Sequence, residues 1–356
     1  MSFILGVDTG GTYTDAVILE DEERVIAFSK ALTTHSDLSL GIGLAIQKAI
    51  KKKNTATEKI SLVSLSTTLA TNALVEGQGD RVALVMIGFQ DSDLEKHSIF
   101  DALKGDPFLV IEGGHNYAGF EKNPLEKNKL SRWVSEITGV SAYAVCSQFA
   151  VRNPEHELEA AEIIRKLTDK PVSLSHQISA KLNGPKRALT AVLNARLIAL
   201  IDLLIIKAEH VIKSLGILAP LMVVRVDGAL ISAAQAREKP IETILSGPAA
   251  SIVGARWLTG ETEAIISDIG GTTTDIAVLK GGKPAIDPRG ASVGPYRTMV
   301  EAVAMYTFGL GGDSEVKLEL EGLGGHISLG PKRVIPVALA ASIEPVSYTH
   351  LTLPTN

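Results

Sequence analysis

Cysteine is almost absent: Cys146 is the only one in 356 residues, so no internal disulfide can staple the fold. Aromatic residues reach only 4%, and 35 Lys plus Arg stand against 40 Asp plus Glu, a formal net charge of −5 without any basic run. A phosphate-backbone partner has no electrostatic footprint here, so nucleic-acid binding is not expected. The apolar stretch near Met1 is too short and too uncharged at its start for a secretory signal, and the cytoplasm is the expected location. The most apolar segment, Ala188 to Ile206, is interrupted by Asn194, Arg196 and Asp202. Each is costly in a bilayer core, so the segment reads as a buried helix and no membrane partner is expected.

What the chain has is apolar mass, 45% of it, with 21% charged residues and 32 glycines. That composition is globular, and at roughly 150 residues per domain the length suits two domains. Phe3 to Val7 and Ala16 to Leu19 read as strands joined by a turn at Gly10 and Gly11. Ser36 caps a helix running to Lys52, and Leu62 to Ser66, Val82 to Ile87 and Ala142 to Ser147 read as strands. Asn153 and Pro154 open a helix to Leu167, and the pattern restarts near residue 170. A helix from about Pro185 to Leu215, apolar all round, is expected between two layers. A strand at Leu221 to Val226, a turn at Asp227 and Gly228, a helix after Ser246, Gly247 and Pro248, and a hairpin of Ala264 to Ser267 with Ile276 to Leu279 follow.

The hairpin is a repeat of the first. Asp8-Thr9-Gly10-Gly11-Thr12-Tyr13-Thr14-Asp15 is matched by Asp268-Ile269-Gly270-Gly271-Thr272-Thr273-Thr274-Asp275, 260 residues later. Average residue usage gives the six shared positions odds on the order of 10⁻⁷ at a given start. Adjacent glycines remove the Cβ atoms that would hold a polyphosphate away, letting successive N–H groups point at its oxygens. Threonine hydroxyls add neutral donors, and an Asp at the strand end can hold the waters of Mg²⁺. Two such loops facing each other would clamp a triphosphate. A single Gly-Gly is equally an ordinary hairpin turn, and the duplication with Asp in register is what favours nucleotide. Neither a P-loop nor the glycine pattern of a dinucleotide fold occurs.

This arrangement resembles the two phosphate motifs of the actin, Hsp70 and sugar-kinase ATPases. Ser246-Gly247-Pro248-Ala249-Ala250 lies where that superfamily has a connecting helix, and Phe308-Gly309-Leu310-Gly311-Gly312-Asp313-Ser314 lies where it has an adenosine loop. Within it, Ser66-Thr67-Thr68-Leu69-Ala70-Thr71-Asn72-Ala73-Leu74, Arg152-Asn153-Pro154-Glu155-His156-Glu157 and Leu245-Ser246-Gly247-Pro248-Ala249 resemble the hydantoinase/oxoprolinase A family. The resemblance covers nearly all of Phe3 to Pro345, departing at Asp313, where larger members tend to have glycine.

The resemblance implies an α/β fold of two ribonuclease-H-like domains flanking a nucleotide cleft: residues 1–170, and 171–345 as a second, incomplete ATPase-type domain. Residues 346–356 resemble a non-native tail, so the natural C-terminus is expected to be truncated. It implies ATP-dependent opening of a cyclic amide such as a hydantoin or 5-oxoproline, with ATP and Mg²⁺ as cofactors, a B-type subunit as partner, and an oligomer. Asp8 and Asp268 would organise Mg²⁺ and serve catalysis. Thr9, Gly10, Gly11, Thr12, Gly270, Gly271, Thr272 and Thr273 would hold phosphates, and Gly311, Gly312 and Asp313 would border adenosine.

Thr67, Thr68, Thr71 and Asn72, where a strand gives way to a helix, suit substrate or ordinary N-capping equally. Asp15 and Asp275 are expected to brace their own hairpins through backbone N–H groups. His115, after Gly113 and Gly114 in a loop, could reach substrate but reads more readily as solvated; Arg152 and His156 read as parts of a helix start, and Cys146 as a buried, inert thiol. Scattered histidines give no support to zinc. The competing readings are an ATP-using subunit of an acetone- or acetophenone-type carboxylase, and a non-catalytic activator ATPase.

Overall fold

Alternation with a period of two makes β1 (Phe3–Thr9) a half-buried strand, with Phe3, Leu5, Val7 and Thr9 turned inward. The computed structural model describes residues 2–34, 36–271, 273–319, 326–336 and 340. Thr272 and the expected tail at 346–356 lie outside the described residues. Two compact units result: Met1–Ala250 with Ile286–Val303, and Ser251–Ala285 with Ala304–Asn356.

In the first unit β1 turns through the glycine pair into antiparallel β2 (Tyr13–Glu20), which pairs with β3 (Arg24–Leu32). Helix α1 (Leu38–Lys53) follows. Its cap is Asp37 rather than Ser36, because the extended backbone at Asp37 lets its carboxylate accept the Ser39 N–H at 3.1 Å. β4 (Ile60–Thr67) then pairs parallel with the other edge of β1 and runs into the short α2 (Leu69–Val75).

A second sheet comes from β5 (Val82–Ile87), α3 (Ile99–Leu103), β6 (Phe108–Ile111), α4 (Lys127–Glu136), β7 (Ala142–Ser147), α5 (Glu155–Thr168) and β8 (Val172–Leu174). Its order is β6-β5-β7-β8, all parallel. β5 and β7 are buried at every residue, as strands covered on both faces must be. α5 starts at Glu155 with Pro154 in the cap position, one residue later than expected, and Asn153 Oδ1 accepts the Glu155 N–H at 3.0 Å.

After α6 (Ser175–Ile178), α7 (Gly184–Ser214) packs against β7 of the second sheet and against α1 and α2 of the first. Every residue from Arg187 to Leu197 is buried. By length and composition α7 is the one described helix that could cross a membrane; 67% of its apolar window is buried, and Leu203 and Ile206 are exposed. Its polar residues are satisfied: Arg196 donates to the carbonyls of Asp80, Ala102 and Leu103 and to Asp106, and Asn194 bonds Ser173, Glu238 and Ile241.

β9 (Leu221–Val224) pairs parallel with β4, and β10 (Leu230–Ser232) extends the edge, giving the order β10-β9-β4-β1-β2-β3. The compact units therefore cut across the division expected at residue 170, because β9 and β10 complete the N-terminal sheet. Then come α8 (Ala233–Glu238) and α9 (Ser246–Thr259).

The second unit holds the hairpin of β11 (Ala264–Ile269) and β12 (Thr274–Lys280), with β13 (Lys283–Pro284) beside β12. The short β14 (Ile286–Asp287), β15 (Ser292–Val293), β16 (Tyr296–Arg297) and β17 (Ala302–Val303) return to the first unit, where the Met299 N–H donates to Thr190 Oγ1 at 3.0 Å. β18 (Met305–Phe308) rejoins β12, and β19 (Ser314–Glu319) pairs with β20 (His326–Arg333).

One buried carboxylate fixes the second sheet to α6. Glu157, at 0% exposure, accepts the Ser147 N–H (2.8 Å), Ser175 hydroxyl (2.5 Å), His176 N–H (3.0 Å) and His176 Nδ1 (2.6 Å). Glu157→Ala strands those donors in an apolar interior and should cost on the order of 3 kcal/mol. Urea denaturation of wild type and variant checks this, and coincident midpoints would contradict it.

Candidate functional site

The duplicated sequence is a duplicated structure. Asp8 faces Asp15 across the first hairpin, and Asp268 faces Asp275 in the same register across the second. Each tip is closed by the same bond, Gly10 N–H to Tyr13 C=O at 3.0 Å and Gly270 N–H to Thr273 C=O at 2.9 Å. Gly11 and Thr12 are exposed at the first tip, and Gly270 and Gly271 at the second.

In the first unit other chain segments converge on this tip. Thr33 Oγ1 donates to Gly10 C=O at 2.9 Å, and the Thr33 N–H donates to Thr12 C=O at 3.0 Å. The β4–α2 junction lies alongside, with the Thr68 N–H bonded to Thr9 C=O at 3.2 Å. A Cβ built on Gly11 would come within 4.0 Å of Asn72 Nδ2. The start of α9 locks onto the same junction: Ser246 Oγ accepts the Thr67 N–H (3.2 Å) and donates to Thr67 C=O (2.9 Å), while the Leu245 N–H donates to Thr71 Oγ1 (2.8 Å). A Cβ on Gly247 would lie 3.6 Å from Asp8 Oδ1, so this turn comes directly beside the carboxylate.

Asp8, Gly10, Gly11, Thr12, Thr67, Thr68, Thr71 and Asn72 are thus brought together. Thr67 Oγ1 accepts the Leu69 N–H at 3.1 Å and so caps α2, while the Thr68 hydroxyl makes no cap bond. Thr9 faces away from Asp8, and its hydroxyl is buried without a partner, so what it offers the tip is backbone. Ser66 and Thr33 were not assigned roles from sequence. Ser66 was legible only through register: it lies opposite Asp8 in the parallel pairing of β1 and β4.

In the second unit the expected adenosine loop packs on its own hairpin. Gly312 N–H donates to Gly270 C=O (2.9 Å) and Asp313 N–H to Gly271 C=O (2.7 Å), bringing Gly311, Gly312 and Asp313 to Gly270 and Gly271. A Cβ on Gly311 would stand 2.4 Å from Gly271 O, so only glycine fits. Asp313 is held by Arg333 at 2.7 Å, with its carboxylate over Gly271.

Some expectations need correction. Asp15 takes Lys30 Nζ at 3.1 Å and Asp275 takes the Thr307 hydroxyl at 2.5 Å, so neighbouring-strand side chains, not hairpin N–H groups, hold these two carboxylates. Burial, together with the nearby Asp268 charge, raises the Asp275 carboxyl above its ordinary range. His115 is fully buried rather than solvated, its ring 4.5 Å from that of His156; burial and that neighbour push its pKa down. His156 pins the loop by accepting the Gly114 N–H at 2.8 Å. Burial pushes the Cys146 thiol up to about 12, which suits an inert core residue.

Among the described residues no group of three or more His, Cys, Asp or Glu side chains could hold a metal ion. Mg²⁺ carried by a nucleotide keeps most of its waters and needs only one or two carboxylates, so the half-buried Asp8 and Asp268 suit it chemically.

Two family models cover most of the chain: a hydantoinase/oxoprolinase N-terminal region matches residues 4–168, and a hydantoinase/oxoprolinase model matches residues 187–350. The caprolactamase subunit alpha of Pseudomonas jessenii is 28% identical over 97% of this chain and 52% of its own length. The acetophenone carboxylase gamma subunit of Aromatoleum aromaticum is 26% identical over 92% of this chain and 49% of its own. The chain therefore spans about half the length of these curated relatives. The crystal structure of ATP-dependent caprolactamase from Pseudomonas jessenii superposes with a TM-score of 0.77 at 26% identity, covering 93% of this chain and 51% of that one.

Gly311→Ala should force the 310–314 loop off its hairpin and speed amide exchange at Gly312 and Asp313 about tenfold or more. Hydrogen-exchange mass spectrometry reads this directly, and unchanged exchange would show that the close approach is not needed.

Proposed function

This chain belongs to the hydantoinase/oxoprolinase family, and from that premise we propose that it serves an ATP-dependent enzyme that opens a cyclic amide of the hydantoin or 5-oxoproline type. The observation that carries this reading is the glycine-tipped acidic hairpin built twice in one register. The ATP dependence of the caprolactamase similar to it points the same way.

On this reading Gly10 and Gly270 shape the tips through their closing bonds, the N–H groups of residues 11–12 and 271–273 hold the phosphates of ATP, and Asp8 and Asp268 hold the waters around Mg²⁺. Mg²⁺, when bound, neutralises charge on the transferring phosphoryl group. Amides resist water because nitrogen stabilises the carbonyl carbon. Transfer of the γ-phosphoryl group to the amide oxygen breaks its bond to the β-phosphate oxygen, and ADP leaves. Water then adds to the activated carbon, the ring C–N bond breaks with a proton passing to nitrogen to leave an acyl phosphate, and a second water cleaves that acyl phosphate to a carboxylate and inorganic phosphate. The chain's contribution is positioning and fixed backbone donors, needing no arginine finger. Of the four residues at the β4–α2 junction, Thr68 and Asn72 would meet substrate, while the Thr67 hydroxyl caps α2 and the Thr71 hydroxyl accepts the Leu245 N–H.

The glycine-tipped meander β1–β2–β3, with β4 and β9 parallel to β1, supports a ribonuclease-H-like reading of the first unit. A B-type partner subunit, assembly into an oligomer and a cytoplasmic location belong to the same proposal. The second reading, an ATP-using carboxylase subunit, is favoured by the likeness to the acetophenone carboxylase gamma subunit.

ADP release by the purified chain, with and without a B-type subunit, separates the two. A hydantoin, 5-oxoproline or another lactam should raise the rate, and Asp8→Asn and Asp268→Asn should each lower the stimulated rate by about 100-fold or more. Stimulation by a ketone with bicarbonate, and by no lactam, would overturn the amide reading in favour of the carboxylase.

A further inference from the structure

Ser66 is buried in β4, directly opposite Asp8 in the parallel ladder, so both side chains leave the sheet on the same face. Its hydroxyl has one proton to give and two acceptors in reach: Asp8 Oδ1 at 2.6 Å and Val7 C=O at 3.5 Å. A charge-assisted bond at the shorter distance is roughly twice as strong as a neutral one, so the carboxylate takes the proton. The bond fixes the rotation of the carboxylate about Cβ–Cγ. Asp15, across the other edge of β1, is engaged with Lys30 and does not compete. The repeat supplies a contrast: among the described residues no hydroxyl is bonded to Asp268, although Asp268 and Asp275 keep the register of Asp8 and Asp15.

We propose that Ser66 is a positioning residue that holds the Asp8 carboxylate in the orientation it needs toward the hydrated cation of a bound nucleotide. This rests on reading the first hairpin as a nucleotide site, and it separates the two acidic loops: among the described residues a partner-strand hydroxyl orients Asp8, and none is bonded to Asp268.

The test is ATP binding by calorimetry, once with Mg²⁺ and once with EDTA, on wild type, Ser66→Ala, Ser66→Thr, Asp8→Asn and the Ser66→Ala/Asp8→Asn double variant. Ser66→Ala should remove about tenfold of the Mg²⁺-dependent tightening and leave the EDTA affinity unchanged. Ser66→Thr, which keeps the hydroxyl, should restore it. In the Asp8→Asn background, Ser66→Ala should cost nothing further, since its effect runs through that carboxylate. Equal losses in Mg²⁺ and EDTA, or losses that multiply in the double variant, would make Ser66 merely structural and overturn the proposal. Mg²⁺-dependent binding in wild type with Ser66→Ala identical to it would also sink the role of Ser66, leaving the nucleotide reading intact. Wild-type protein that binds ATP in neither buffer would overturn the nucleotide reading and this proposal with it.

Discussion

A glycine N–H closing back on the carbonyl three residues ahead, at Gly10–Tyr13 and again at Gly270–Thr273, shapes both hairpin tips. The bond holds the tip tight enough to keep an Asp at the end of the incoming strand, opposite a second Asp on the outgoing one. Side chains larger than hydrogen at the paired glycines would stand between backbone donors and any anion approaching them. Each unit then braces its tip differently. The first uses Thr33, the β4–α2 junction and the turn at Ser246, and the second uses the Gly311–Asp313 loop, whose close approach admits only glycine.

Behind the first tip, α7 packs on α1 and α2. Each of its fully buried leucines and isoleucines contributes about 1.5–3 kcal/mol of burial. That total outweighs the desolvation of Arg187, Asn194 and Arg196 only because these are hydrogen-bonded throughout. A buried guanidinium without partners would cost several kcal/mol, whereas Arg196 instead ties α7 to the chain around Asp80, Ala102 and Asp106. These polar residues thus help anchor α7 between the second sheet and helices α1 and α2.

Much of this was legible in the sequence. β5 and β7 match their predicted ranges, because continuous apolar runs bounded by polar residues have few alternatives. The repeat announced itself through residue identity. What escaped depends on pairing across distance. β3 was missed because Arg24 and Val25 are both exposed at its start and blur the alternation. The return of residues 286–303 to the first unit leaves no local signal, since it is held by contacts such as Met299 to Thr190. β11 alternates Ile265 outward and Ile266 inward, so the apolar pattern could not say which face is covered. Ser66 sat inside a recognised motif, yet its tie to Asp8 emerges only once β4 is laid parallel to β1. His115 read as solvated because glycines flank it, whereas His156 and the loop around it close it off from water.

The central claim is that the two loops serve one nucleotide. Amide hydrogen exchange across a titration with Mg²⁺ and a non-hydrolysable ATP analogue tests it most directly. The account predicts slowed exchange at residues 11–12 and 271–273 together, with a common half-saturation. Protection at one loop alone, or at neither while the analogue binds elsewhere, would contradict it.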